Sequence, residues 1–286
     1  MEPTQTLARR FWTAIEPIHS IVYYTPEPLA AAKKAGLRGF WMSYFAGRVA
    51  PLGPVPAPAV VAVTYGFAPA MVARAIPDAW TFAAPSAVLE ARLSSAPEAL
   101  RHHVDGPALA GADELAGLLG EAVAGCRFDG RPLAAAWSSV PRPADPVAAG
   151  WLAATVLREH RGDGHVLAGV ASGLQGLEAT LTFVATGAIS REMMQPSRGW
   201  SDEEWSASVR RLRARGLLDS GGRLTKSGGA LRREVEDLTD RLAAGPVERL
   251  GSTGVERAIE LATAISRNLI DSGVIPVPNP TGLPRP

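Results

Sequence analysis

Apolar residues recur at helical steps along most of this chain. Phe11, Ile15, Ile18 and Val22 lie three or four apart, on one helix face, and predict a first helix over 7–24. Glu16 and His19 share a face of that helix. Pro26 and Pro28 interrupt it, and a short helix follows to Lys34, closed at Gly36. The run 37–48 is apolar on most sides and predicts a buried helix. Pro51, Pro54, Pro56 and Pro58 mark a turn-rich link, after which 57–66 and 69–76 predict short helices. Ser86 is positioned to cap a helix over 86–104, and another is predicted from 113 to 123. Residues 127–146, broken by Gly130, Pro132, Pro141, Pro143 and Pro146, read as a link between two halves.

The second half is more sharply punctuated. A helix is predicted over 146–160, a second opening at Gly164 or His165 and ending near Gly173, then helices over 174–186 and 189–195. Ser201-Asp202-Glu203-Glu204 is a strong helix start, a capping serine with a glutamate three residues on, for a helix to Arg215. Leu217-Leu218-Asp219 and Arg223-Leu224-Thr225, separated by Ser220-Gly221-Gly222, predict a β-hairpin. Long helices over 227–243 and 253–271 follow, then a proline-rich tail over 274–286 that is expected to be extended. Helix, short helix, capped helix, hairpin, long helix is winged-helix order. Leu212-Arg213-Ala214-Arg215-Gly216-Leu217-Leu218-Asp219 and Leu224-Thr225-Lys226-Ser227-Gly228 resemble the recognition-helix end and wing of MarR-type regulators, over residues 174–243.

Gly36-Leu37-Arg38-Gly39-Phe40 has a counterpart in Gly173-Leu174-Gln175-Gly176-Leu177, and Ala84-Pro85-Ser86 in Thr225-Lys226-Ser227 at a similar offset. The expected fold class is therefore mainly α: tandem duplicated winged-helix-like units with a small β-hairpin wing, divided as 1–140 and 141–286. Nearly the whole chain also resembles an actinobacterial family of helix-turn-helix proteins. That resemblance rests on Glu16-Pro17-Ile18-His19, Ala35-Gly36-Leu37-Arg38-Gly39-Phe40-Trp41, Ala73-Arg74-Ala75-Ile76-Pro77-Asp78-Ala79-Trp80, His160-Arg161-Gly162-Asp163-Gly164-His165 and Arg198-Gly199-Trp200-Ser201. It implies the tandem architecture and no particular activity.

Composition adds exclusions. A net charge of +1 supplies no global attraction to nucleic acid. The single Cys126 excludes a disulfide framework within one chain and any multi-cysteine zinc site. Met1-Glu2-Pro3 is not the start of a signal peptide, and no apolar run reaches membrane-spanning length, so a soluble, cytoplasmic protein with no membrane partner is expected. The chain contains no Gly-x-Ser-x-Gly elbow, Walker loop or strand-linked Gly-x-Gly-x-x-Gly.

The densest chemistry is Glu159-His160-Arg161-Gly162-Asp163-Gly164-His165. It reads in three ways: a glycine hinge, an anion site using Arg161 and the N–H groups opening the next helix, or an acid–base or metal centre. Glu16, His19, His160, Asp163 and His165 are the candidates for catalysis. His160-x4-His165 across two glycines matches no standard zinc motif, and no metal site is assigned. Arg38, Arg48 and Arg74 are interleaved with Trp41, Tyr44 and Trp80. On apolar helices such arginines need carboxylate partners, or a bound carboxylate or phosphate, which makes these six residues and Arg161 candidates for ligand binding. His102 and His103 fall at a polar helix end and read as solvated. The groove-facing end of the recognition helix, Asp202-Glu203-Glu204, would repel DNA phosphates. A small, anionic molecule is thus the expected partner in a pocket between the repeats, and sequence-specific DNA binding is not expected. A MarR-like regulator and an enzyme of specialised metabolism in the same pocket are the alternatives.

Overall fold

The computed structural model describes residues 6–283 and 285–286. Met1-Glu2-Pro3, on which the signal-peptide expectation rests, lies outside them. The described chain is mainly α, with sixteen helices. In the first half these are α1 (Leu7–Ser20), α2 (Pro26–Lys34), α3 (Gly39–Val49), α4 (Ala57–Val63), α5 (Pro69–Ala73), α6 (Ala79–Phe82), α7 (Pro85–His103), α8 (Gly106–Leu109), α9 (Ala112–Val123) and α10 (Pro132–Ser138). The second half holds α11 (Pro146–Ala171), α12 (Gly176–Val184), α13 (Arg191–Arg198), α14 (Asp202–Ala214), α15 (Lys226–Leu242) and α16 (Ala244–Asp271). No single helix among the described residues is long and apolar enough to cross a membrane.

The apolar positions assemble three cores. Phe11, Ile15, Leu119, Trp151 and Leu269 belong to one that unites α1, α7, α9, α11 and α16. A second, around Phe45, Val60, Val72 and Ile76, is built mainly by α3–α7, with Ala32 of α2 and Leu133 of α10. The third, around Leu177, Met194, Trp205, Leu212 and Val235, is built mainly by α12–α15, with Ala168 of α11.

At the centre runs α11, packed against α1, α7, α9, α10 and α15. Asp145 caps it by accepting from the Ala148 N–H at 3.1 Å, and Pro146 opens its first turn. It continues unbroken through the stretch expected to be a hinge. Gly162 and Gly164 keep negative φ, and each costs about 1 kcal/mol relative to alanine inside a helix. Close packing accounts for two of the glycines. A Cβ on Gly164 would stand 3.2 Å from Nη1 of Arg131, and one on Gly169 would stand 3.2 Å from the Tyr65 ring. The amide groups after Gly164 are consequently spent inside the helix and supply no anion site.

The expected hairpin wing is absent among the described residues. One antiparallel bridge, Leu218 with Leu224, is all that forms. The ladder is stopped on both sides. Thr225 already caps α15 through the Gly228 N–H, and Arg213 takes the Asp219 and Ser220 carbonyls at 3.0 and 2.7 Å. Smaller departures have local causes. Pro132 opens α10 inside the expected link. Helix α7 starts at Pro85 rather than under a Ser86 cap. The last helix begins at Ala244 and bends at Gly251, where φ is 67°. The tail folds back rather than extending, because Ile275 and Leu283 are buried in the first core and Asn279 ties the Pro276 and Leu283 carbonyls.

Candidate functional site

Where α1, α3, α11, α12, α13 and α15 meet, they leave a cavity of about 440 Å³, within the roughly 300–1,000 Å³ usual for small-molecule sites. Its roof is the segment 63–67 and the tail residues Pro280, Thr281 and Gly282. Trp12, Tyr44, Tyr65, Phe67 and Phe183 contribute aromatic surface, and six arginines project into the lining: Arg9, Arg48, Arg158, Arg161, Arg198 and Arg232.

These arginines fall into three groups. Along one wall, Glu159 is fully buried and accepts from Arg48 Nε and Nη2, both at 3.0 Å, and from Arg158 Nη1 at 2.9 Å. Arg158 also donates to Glu16 at 3.2 Å, and Glu16 accepts from the Trp12 indole at 2.8 Å. Burial alone would raise the Glu159 carboxyl, but the two guanidiniums more than offset it and hold the group well below the usual range. Glu16, which burial affects most and Arg158 only partly compensates, is shifted upward.

In a second cluster three arginines share two acids. Arg9 and Arg161 each lie 2.9 Å from an Asp240 oxygen, and Arg232 pairs with Glu236 at 2.5 Å. Arg161 stands 4.9 Å over the Trp12 ring, and its Nη1 is buried without a hydrogen-bond partner among the described residues. The third group is Arg198 alone. It donates to the Pro280 carbonyl and sits 4.5 Å over the Phe67 ring, and no carboxylate of the described residues pairs with it. Burial shifts the Arg161, Arg198 and Arg232 charges downward. Counted together, the six lining guanidiniums face Glu16, Glu159, Glu236 and Asp240, which leaves a surplus of two positive charges.

Of the residues singled out from sequence, Glu16, Tyr44, Arg48, Arg161 and His165 line this cavity. The others do not converge there. His19 is fully buried in a relay whose direction can be traced. Thr155 donates to the Trp151 carbonyl, so His19 Nδ1–H donates to Thr155, and Nε2 accepts from the Tyr23 hydroxyl, which itself accepts from Arg92. That ring is neutral and fully used, and burial holds its pKa well below the usual value. His160 and Asp163 occupy the α10 side of α11. The His160 pKa is lowered to about 4 by burial and by Arg131. Asp163 accepts from the Ala134 N–H at 3.0 Å, and burial raises it to about 6.

His165 faces the cavity. Thr239 donates to the Val235 carbonyl, so His165 Nδ1–H donates to Thr239 at 3.0 Å and leaves Nε2 as an acceptor. Burial, opposed by the Glu236 charge and reinforced by Arg232 and Arg161, lowers its pKa to about 4. Elsewhere, Arg38 stacks 4.0 Å from the Phe82 ring, Arg74 is exposed at the end of α5, Trp41 packs in the second core, and the Trp80 indole donates to the Val55 carbonyl. Sequence reasoning missed Arg9, Arg158, Arg198, Arg232 and Glu236. The steps Trp12–Glu16 and Arg232–Glu236–Asp240 are i,i+4 signals of shared faces. What those faces meet is not a local property.

Helices α13 and α14 are joined through Gly199 at φ 73°, in the stretch whose sequence order reads as the helix-turn-helix. The basic residues of α14 are engaged. Arg211 and Arg215 each pair with Glu178 at 3.1 Å, and Arg213 holds the carbonyls of the following turn. Asp202 pairs with Arg191 at 2.6 Å, and Glu204 closes the capping box with Ser201. Arg210, which is exposed, is the one basic residue of α14 with neither an ion pair nor a side-chain hydrogen bond among the described residues.

The geometry is thus that of a mainly helical protein with an arginine-lined cavity. Comparison with known families agrees with the first part: the chain belongs to the helix-turn-helix family, which it matches over residues 8–276. No curated protein and no solved structure matches it.

Proposed function

We propose that the protein binds a small molecule with an aromatic or apolar body and an anionic group, a carboxylate or a phosphate, in the arginine-lined cavity. The observation that carries this reading is Arg198. It is a guanidinium at the cavity wall with an aromatic neighbour and no carboxylate among the described residues, in a cavity with two more cations than anions. A buried cation gains most from an anion that can reach it. The free Nη1 of Arg161 supplies a further donor, and His165 Nε2 a neighbouring acceptor. Binding is favoured over turnover because the acid–base candidates are dispersed, and Glu16 is already engaged by Arg158 and Trp12.

Native mass spectrometry of the purified protein, then calorimetry with benzoate, indole-3-acetate and phenyl phosphate, tests this. At least one probe should bind one-to-one, and Arg198→Gln should weaken it by about tenfold or more, the scale of a lost charge-assisted hydrogen bond. Equal affinity in wild type and variant would remove Arg198 from the site.

We also infer that the two halves are a tandem duplication. Support comes from Leu37 and Leu174, each buried behind a positive-φ glycine and bonded back five residues, to the Ala32 and Gly169 carbonyls. A second support is the separate small core in each half. The cavity then lies between repeats, and the DNA-facing role of the second repeat is lost to the ion pairs on α14.

A further inference from the structure

A second constellation lies away from the cavity, where the first turn of α2 meets the last turn of α7. His102 Nδ1 stands 2.6 Å, and His103 Nε2 3.1 Å, from the same oxygen of Glu27, Oε1. Adjacent helical residues point about 100° apart, so both rings reach one atom only because they use different nitrogens, the nearer on His102 and the farther on His103. The rings end up stacked, with centroids 4.5 Å apart and planes 25° from parallel. Glu27 Oε2 is buried and has no hydrogen-bond partner among the described residues. One ligand atom from each residue lies within 4.8 Å of the others.

We propose that Glu27, His102 and His103 bind a divalent transition-metal ion of the zinc or cobalt kind, tying α2 to α7. Two imidazole nitrogens and a carboxylate oxygen are a donor set that suits such ions. With metal–ligand distances of about 2.0–2.2 Å, neighbouring donors stand about 3–3.5 Å apart. The His103–Glu27 separation is already there, and His102, whose side chain is 70% exposed, is free to open by the remaining few tenths. The carbonyl end of α7 favours a cation. Glu98, exposed one turn before His102, lines the same surface groove as Glu27. Of the other histidines, His19 and His160 are buried and His165 lines the separate cavity, which leaves this pair as the histidines on the outer surface.

The test uses the full-length, untagged protein stripped with a chelator, titrated with Zn2+ by calorimetry and with Co2+ by visible absorption. One equivalent should bind, and zinc should raise the melting temperature. In His102→Ala/His103→Ala the affinity should fall by at least about tenfold and the zinc-dependent melting shift should vanish. Glu27→Gln, which keeps the size of the side chain, should weaken binding in the same direction, and Cys126→Ser should leave it intact. The absence of saturable binding below about 100 µM Zn2+, or the same stoichiometry and affinity in the double variant, would overturn the proposal. The cluster would then be two histidines hydrogen-bonded to a carboxylate.

Discussion

Single residues here are governed by what burial does to charge. Glu159 is tolerable at the centre of the fold because three N–H donors from two arginines surround it, and removing one partner of such a group costs about 3–5 kcal/mol. Asp163 and His165 lie two residues apart on α11 and carry opposite consequences for pH. His165, with His160, is held near 4 in the fold against about 6.5 when free. The stability these rings contribute is complete above pH 6.5 and is lost as pH falls from there to 4. Asp163 is raised to about 6 from 3.8, so its contribution is complete below 3.8 and is lost as pH rises through 6. Asp163→Asn keeps a carbonyl oxygen for the Ala134 N–H but cannot ionise. The variant should therefore melt higher than wild type at pH 8, with the advantage shrinking to nothing towards pH 4. Thermal melts across that range check this, and an advantage independent of pH would refute it.

Elements are decided by how closely backbones approach. The hinge reading of 159–165 and the continuous α11 make opposite predictions at Gly162. Within a straight helix, a Cβ at Gly162 meets nothing closer than 3.6 Å, so Gly162→Ala should stabilise by about 0.5–1 kcal/mol in urea unfolding. A required hinge would be destabilised by the same change. Gly176 is the contrast, because a Cβ there would fall 1.8 Å from the Tyr65 carbonyl oxygen. That contact brings the 63–67 roof segment onto the first residue of α12. Gly176→Ala should lose about 1–3 kcal/mol or more and open the cavity roof, where the Trp200 indole also holds the Gly66 carbonyl at 2.9 Å.

At the scale of the whole molecule, α12 and α13 line the cavity while α14 is joined to α13 and ion-paired to α12, so the residues that hold one constrain the other. Arg211 and Arg215 secure Glu178 at the start of α12, and Arg198 at the end of α13 reaches the tail over the cavity. With those cations committed and Asp202, Glu203 and Glu204 exposed in the first turn of α14, the proposed small-molecule reading carries the expectation of few phosphate contacts and no tight duplex binding. Footprinting on the protein's own promoter at physiological salt should show no protected site at nanomolar concentration. Protection there would favour the regulator alternative.

The helices were legible in the sequence because their signals are local: apolar steps of three and four, Ser201 with Glu204, the prolines and glycines at the ends. The family, too, could be read from short motifs spread over the chain. The candidate site was legible only in part, through the unusual density of charge at 159–165 and the need of Arg48 for a partner. Tertiary structure decided the rest. Which face of α11 each charge occupies depends on its running straight, and that follows from Arg131 and Tyr65 packing against Gly164 and Gly169, far apart in sequence. Whether two extended segments become a wing depends on Arg213 and Thr225 drawing off the carbonyls and hydroxyl that flank it. The cavity itself is made by side chains from helices far apart in sequence, tied by pairs such as Arg9 and Asp240, 231 residues apart. Sequence spacing fixes which residues share a face, while only packing sets what that face meets and whether an arginine there finds an acid.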